Sequence, residues 1–120
     1  MKTVLLADDH ALVRAGLASL IDTTEDLLII GEAANGEDAV RLAVDLLPDV
    51  VVMDLSMPVM DGGTAIRLLL HTRPWMRVVV LTSNYDEERI GEAVAAGAVG
   101  YVLKDADPDR VLDAIRAACG

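Results

Sequence analysis

The stretch Val50-Val51-Val52-Met53-Asp54 decides the fold: four consecutive apolar residues are followed at once by a carboxylate. Comparable apolar runs occupy residues 3–7, 27–30, 78–81 and 101–103. Each run is nearly continuous rather than alternating, and most are rich in β-branched residues. This pattern is typical of strands that are buried on both faces of a parallel sheet. The sequence therefore predicts five short parallel strands.

Segments with helical periodicity separate these runs. Ala65, Ile66, Leu69 and Leu70 share one helix face, and similar patterns cover residues 13–21, 39–47, 90–97 and 111–118. Candidate helix boundaries are Asn35, Asp61 and Asp107-Pro108 at starts, and Gly97 at an end. Five βα units predict one doubly wound α/β domain, (βα)5, with the flavodoxin-like strand order 2-1-3-4-5 over residues 1–120.

Composition and charge exclude several classes of function. The chain has 120 residues, enough for one domain, and 20 acidic residues against 10 basic ones give a net charge of -10. Such an acidic domain is a poor ligand for nucleic acid or for an anionic membrane. No apolar run approaches the length of a membrane span. The single cysteine, Cys119, rules out an internal disulfide, so we expect a reducing cytoplasm.

Polar side chains follow four of the five predicted strands. They are Asp8 and Asp9 after the first, Asp54 after the third, Thr82 and Ser83 after the fourth, and Lys104 after the fifth. Ligands of open parallel sheets bind at these carboxyl ends, and the predicted order makes strands one and three neighbours. Three carboxylates in one small site require a compensating cation. Because all of these donors are oxygens, the sequence predicts Mg²⁺.

This set of residues suits phosphoryl transfer. The chain has no Ser-His-Asp or Cys-His arrangement and no glycine-rich phosphate loop. Asp54 can attack phosphorus and become an acyl phosphate, while Mg²⁺ neutralises phosphoryl oxygens. Thr82 can hold another oxygen by a hydrogen bond, and Lys104 can hold one by charge.

Four segments in order carry a resemblance to a known family. They are Ala7-Asp8-Asp9-His10, the segment from Val52 through Asp54 and Pro58 to Gly62, Val80-Leu81-Thr82-Ser83, and the segment from Gly97 through Tyr101 to Lys104. Over all 120 residues the chain resembles the receiver domain of two-component response regulators. It is most similar to the subfamily that carries a C-terminal helix-turn-helix and binds DNA. One departure is Asp105, which stands where many receivers have a proline with a cis bond, so a cis bond is not assumed.

The resemblance implies a role for each site residue. Asp54 would accept a phosphoryl group from a sensor histidine kinase. Asp9 would bind Mg²⁺ directly, Asp8 through water, and Ser56 through its backbone carbonyl. Lys104, Thr82 and Ser83 would bind the phosphoryl group, and Tyr101 would swing inward as Thr82 turns onto it.

The resulting hypothesis is a phosphorylation-controlled switch with slow self-catalysed chemistry, whose output is transcription through an attached DNA-binding domain. A free-standing receiver that shuttles phosphoryl groups or binds proteins is the alternative. The sequence is less consistent with an aspartyl-phosphate phosphatase, because Ser56 stands where such enzymes have a second aspartate. A binding module that takes no phosphate is disfavoured by the intact Asp9, Asp54 and Lys104.

Apolar residues outside the core stripes suggest a dimer surface. Leu112 on helix five, and Leu12 and Ala15 on helix one, are the candidate contacts. We expect phosphorylation to promote a two-fold dimer through helix five, with either helix one or helix four.

Overall fold

A computed structural model describes all of residues 1–120. The five strands are β1 (Lys2–Ala7), β2 (Leu27–Ala33), β3 (Val50–Asp54), β4 (Val78–Thr82) and β5 (Gly100–Leu103). The five helices are α1 (Ala11–Asp22), α2 (Gly36–Leu46), α3 (Gly62–Thr72), α4 (Glu87–Ala95) and α5 (Pro108–Ala118). Strand and helix alternate throughout, as the apolar runs and the periodic segments predict.

The strands form one parallel sheet in the order β2-β1-β3-β4-β5, so the predicted fold class and topology are confirmed. β2 runs three residues beyond the apolar run that predicts it, because Gly31, Glu32 and Ala33 continue the ladder with β1 after a register shift between Val4 and Leu5. Every peptide bond is trans, including the one between Lys104 and Asp105.

The sheet carries an apolar core on each face. Helices α2, α3 and α4 cover one face, where Ile66 and Leu69 pack on Leu5, Val51 and other strand residues. Helices α1 and α5 cover the other face, where Ile21 and Ile115 are fully buried. β3 and β4 are buried along their whole length. This double burial explains why their sequences lack the alternation of a half-exposed strand.

The predicted helix boundaries are confirmed, but one predicted N-cap residue makes no capping hydrogen bond. Asn35 and Asp61 cap α2 and α3 by accepting hydrogen bonds from the backbone N–H groups of Asp38 and Thr64, both at 2.8 Å. Asp107 precedes Pro108 at the start of α5, but its side chain makes no capping hydrogen bond. Gly97 lies just after α4 with φ of 118°, a conformation that favours glycine.

Three apolar side chains lie elsewhere than the periodicity predicts. Leu112 was expected on an open surface, yet it is only 7% exposed, because four residues of α5 rather than three pack onto the sheet. Val94 is about half exposed, since only Ile90 and Ala93 of α4 face the core. Leu47 is exposed at the left-handed C-cap of α2, where the helix has already ended. No helix is both long and apolar enough to cross a membrane.

Candidate functional site at the carboxyl ends of the strands

Sheet register places two of the predicted carboxylates side by side. Ala7 of β1 pairs with Met53 of β3, so the residues that follow them, Asp8 and Asp54, lie next to each other at the carboxyl ends of the two strands. Asp8 is fully buried and Asp54 is 2% exposed. Two neighbouring buried carboxylates can both stay ionised only if cations compensate their charges.

Lys104 supplies one compensating charge. Its Nζ lies 2.9 Å from Asp8 Oδ2 and 3.1 Å from Asp54 Oδ2, where it donates a hydrogen bond to Asp54. Burial lowers the pKa of the Lys104 ammonium, but the contacts with Asp8 and Asp54 outweigh burial and leave that pKa above its usual value. Lys104 is therefore charged at neutral pH.

Burial makes ionisation of Asp54 costly. Burial raises the pKa of Asp54 above its ordinary value, and the neighbouring charge of Asp8 adds to the increase. Hydrogen bonds from Lys104 and from the backbone N–H of Ser56, at 3.3 Å from Oδ1, act in the opposite direction without cancelling it. A further cation at this site would favour the ionised form.

The third predicted carboxylate, Asp9, lies at the rim together with a histidine. His10 Nδ1 lies 3.2 Å from Asp8 Oδ1 and 3.3 Å from Asp9 Oδ1, and also 3.3 Å from Lys104 Nζ. One donor atom from each of Asp8, Asp9, His10 and Asp54 falls within 4.8 Å of the others. Sequence reasoning gave His10 no role, although its position directly after two aspartates was a signal that it would border the site.

The donor set fits a hard divalent cation. Asp8 Oδ2 is buried, and the ammonium of Lys104 at 2.9 Å is the cation that faces it. Mg²⁺ takes oxygen ligands at about 2.1 Å, and the candidate donor atoms here all lie within 4.8 Å of one another. The carboxylates of Asp8, Asp9 and Asp54 are therefore grouped closely enough to share one such ion.

The predicted hydroxyl groups lie on the β4 side of the site. Thr82 ends β4 and is 6% exposed, and its hydroxyl donates a hydrogen bond to the carbonyl of Asn84 at 3.0 Å. The backbone N–H of Lys104 binds the carbonyl of Thr82 at 2.8 Å, which joins the ends of β4 and β5. Ser83 is exposed and its side chain makes no hydrogen bond within the chain. The structure thus brings Thr82, and not the Ser83 side chain, into a defined contact.

Tyr101 lies on the outer surface of β5. It is 44% exposed, and its ring packs against Tyr85 with the ring centroids 5.9 Å apart. In this structure the Tyr101 ring points outward and Thr82 is bonded to Asn84. These are the two residues to which the family resemblance gives a switching role.

The loop from β3 to α3 is tightly built. The N–H of Gly62 binds the carbonyl of Leu55 at 3.0 Å, and a Cβ on Gly62 would lie 1.9 Å from the carbonyl oxygen of Asp54. Arg89 of α4 reaches this loop, donating hydrogen bonds to Ser56 Oγ at 3.0 Å and to the Leu55 carbonyl at 2.9 Å. Sequence reasoning did not single out Arg89, because 33 residues separate it from Ser56.

Comparison with protein families matches residues 4–116 to the response regulator receiver domain. The chain belongs to this family. Receiver domains are signalling switches rather than classical enzymes, and response regulators act with sensor histidine kinases.

Individual relatives agree with this assignment. The transcriptional regulatory protein LiaR of Bacillus subtilis is 44% identical over 118 residues, which cover 98% of this chain and 56% of LiaR. A LuxR-family two-component response regulator from Aurantimonas sp. SI85-9A1 superimposes with a TM-score of 0.94 at 34% identity, covering 99% of this receiver domain and 85% of that chain. A chain of the CheX–CheY–BeF3–Mg²⁺ complex from Borrelia burgdorferi gives 0.91 at 27% identity, covering 97% and 87%. The receiver domain spans about half the length of the curated relatives that it matches.

Proposed function

We propose that the domain accepts a phosphoryl group on Asp54 and changes its surface in response. The observation that supports this most directly is the buried Asp54 carboxylate, bound by Lys104 and flanked by Asp8. In the reaction, a carboxylate oxygen of Asp54 attacks phosphorus, and the bond from phosphorus to a kinase histidine nitrogen, or to the oxygen of a small donor, breaks. The leaving group departs with that bonding pair.

Mg²⁺ is the proposed cofactor, held by Asp9 directly, by Asp8 through water, and by Asp54 and the backbone carbonyl of Ser56. When bound, it would neutralise phosphoryl oxygens. The similar chain from Borrelia burgdorferi was solved in a complex that contains BeF3 and Mg²⁺. Lys104 would hold a second oxygen by charge. Thr82 would exchange its bond with Asn84 for one to a third oxygen, with Ser83 contributing at the exposed side.

The chemistry of the site implies slow turnover. Ser56 and Asn84 stand two residues beyond Asp54 and Thr82, and neither is charged, so neither can act as a strong general base toward a hydrolytic water. We therefore propose a slow self-catalysed switch rather than a phosphatase. A sensor histidine kinase is the proposed donor, and residues 1–120 form one receiver domain.

The proposed output is regulation of transcription through an attached DNA-binding domain. LiaR is a transcriptional regulatory protein, and this chain matches only part of its length. The alternative of a free-standing receiver has no observation in its favour.

A second copy of the domain is the proposed occupant of the groove between α1 and α5. The groove encloses about 510 Å³ and is lined by Val13, Leu17 and Leu20 of α1 and by Ala106 and Val111 near α5. Leu12 beside it is 87% exposed. Because Leu112 is buried, it cannot serve as the contact. The apolar groove and the exposed Leu12 are the observations that support pairing with helix one.

Mass spectrometry of the intact protein tests the phosphoacceptor. Incubation with acetyl phosphate and Mg²⁺ should add one phosphoryl group to the wild type and none to Asp54→Asn. Asp9→Ala should require far more Mg²⁺, since hard cations depend on carboxylate ligands, and Asp8→Ala should show a smaller increase. Labelling of Asp54→Asn at the wild-type level would disprove the assignment.

Sedimentation of the phosphorylated or BeF3-treated protein tests the dimer. We expect association in the wild type and its loss in Leu12→Glu, with Leu68→Glu, an exposed leucine of α3, as the control. A wild-type protein that stays monomeric at high concentration, with and without the phosphoryl group or BeF3, would contradict the proposed dimer.

A further inference from the structure

Helix α4 is weakly anchored by apolar contacts. Of its nine residues only Ile90 and Ala93 are buried, whereas α3 buries five residues and α5 buries four. A short helix with so small an apolar stripe depends on polar contacts for its position.

Arg89 provides such contacts, and they end beside the phosphoacceptor. Its two terminal nitrogens bind Ser56 Oγ at 3.0 Å and the Leu55 carbonyl at 2.9 Å. The N–H of the same Ser56 binds Asp54 Oδ1 at 3.3 Å. A continuous path therefore runs from the Asp54 carboxylate through one residue of the loop to the guanidinium on α4.

The Leu55 carbonyl makes this attachment rigid. It accepts one hydrogen bond from Gly62 at the start of α3 and a second from Arg89. A carbonyl oxygen has two lone pairs, so both are satisfied and the peptide between Leu55 and Ser56 is fixed in orientation. That orientation also sets where the next carbonyl, that of Ser56, points.

We propose that Arg89 is a positioning residue that ties α4 to the β3–α3 loop, so that Mg²⁺ binding at the Ser56 carbonyl and the position of α4 depend on each other. This inference rests on the proposed function, which assigns that carbonyl to Mg²⁺. Such coupling is reciprocal: if α4 holds the loop in the metal-binding shape, bound metal must also hold α4.

The neighbouring Arg67 offers a matched control. Arg67 and Arg89 line the same pocket of about 170 Å³ between α3 and α4, together with Asp61 and Glu92. Arg67, however, binds Thr64 of its own helix, at 3.1 Å, and not the loop. Arg89→Gln and Arg67→Gln thus remove the same charge from the same pocket, and only the first removes the link.

Mg²⁺ titration calorimetry of the wild type, Arg89→Gln, Arg89→Lys and Arg67→Gln tests the proposal. Removal of a positive charge near a cation site should strengthen Mg²⁺ binding, so weaker binding can arise only from loss of position. We expect about tenfold weaker binding in Arg89→Gln, an intermediate value in Arg89→Lys, and no weakening in Arg67→Gln. Equal or tighter binding in Arg89→Gln would overturn the proposal.

Amide hydrogen exchange of α4 supplies the reciprocal readout. Mg²⁺ should slow exchange in Glu87–Ala95 of the wild type and of Arg67→Gln, but not of Arg89→Gln. Thermal unfolding would verify that each variant is folded. An equal response of α4 in all proteins would refute the coupling. A wild type that binds no Mg²⁺ would refute the proposed function as well, whereas wild-type behaviour of Arg89→Gln would refute only this inference.

Discussion

Helices α3 and α4 both begin where a strand ends at the site, yet they are held to the sheet by different forces. α3 buries Ile66 and Leu69 completely, and Asp61 caps it at 2.8 Å. α4 buries two residues and has a longer cap bond, 3.2 Å from the Arg89 N–H to Asp86. Asp54, a proposed metal ligand, therefore precedes the more deeply buried of the two helices, while Thr82 precedes the less buried one.

This difference indicates how one added phosphoryl group can act at a distance. A ligand shifts a conformational equilibrium only if one arrangement binds it better, and a small free energy suffices where the two arrangements are close in stability. The segment from β3 to α3 carries Asp54 and holds the geometry needed for the proposed chemistry. Helix α4 buries fewer residues than α3, so we expect α4 to respond.

Truncation of one buried residue in each helix should give the largest effect. Leu69→Ala removes a fully buried side chain and should lower the free energy of unfolding by about 4 kcal/mol. Ile90→Ala, at the open edge of the core, should cost only about 2 kcal/mol, because the site can relax. Chemical denaturation measures both values. Equal losses would show that α4 is as firmly packed as α3.

Neutralisation of Asp54, the proposed phosphoacceptor, should stabilise the metal-free protein. Because burial raises the pKa of Asp54, its ionised form costs stability at pH values above that raised pKa. Below the ordinary pKa of an aspartate, the carboxyl is protonated in both the folded and the unfolded protein, so the cost vanishes. Asp54→Asn should therefore be more stable than the wild type at neutral pH, with the gap closing in acid.

Saturating Mg²⁺ should reverse that order. An ion at about one hundred times its Kd stabilises the wild type by about 2.7 kcal/mol, and the variant lacks one of the carboxylates that bind it. Denaturation at several pH values, with and without Mg²⁺, checks both expectations. A destabilised Asp54→Asn in the absence of metal would contradict the electrostatic description of the site.

Helix propensity offers a smaller test of the same comparison. Gly91 lies in the middle of α4 and Gly16 in the middle of α1, and neither would bring an added Cβ within 4 Å of another group. Alanine at either position should stabilise its helix by up to about 1 kcal/mol. If α4 is the responsive element, Gly91→Ala should also change the rate of phosphorylation by acetyl phosphate, and Gly16→Ala should not. Equal phosphorylation rates in Gly91→Ala and Gly16→Ala would show that α4 is not the responsive element.

Sequence reasoning predicts most of the fold because the deciding signals are local or follow from register. Continuous apolar runs such as Val50–Val52 identify buried strands, and the strand order then brings Asp8 beside Asp54. The same reasoning places Leu112 wrongly, because the width of the buried stripe depends on how α5 sits on the sheet. Arg89 could not be found, since its contact with Ser56 requires the angle of α4, which no spacing along the chain encodes.

Amide exchange of α3 and α4, before and after phosphorylation of Asp54, tests the central claim most directly. With Mg²⁺ held at one saturating concentration, addition of acetyl phosphate should alter exchange across the β4–α4 loop and Glu87–Ala95 and leave exchange in Gly62–Thr72 unchanged. Asp54→Asn should show no change in either helix. A phosphorylated protein in which α3 responds as much as α4, or in which α4 does not respond, would contradict the account.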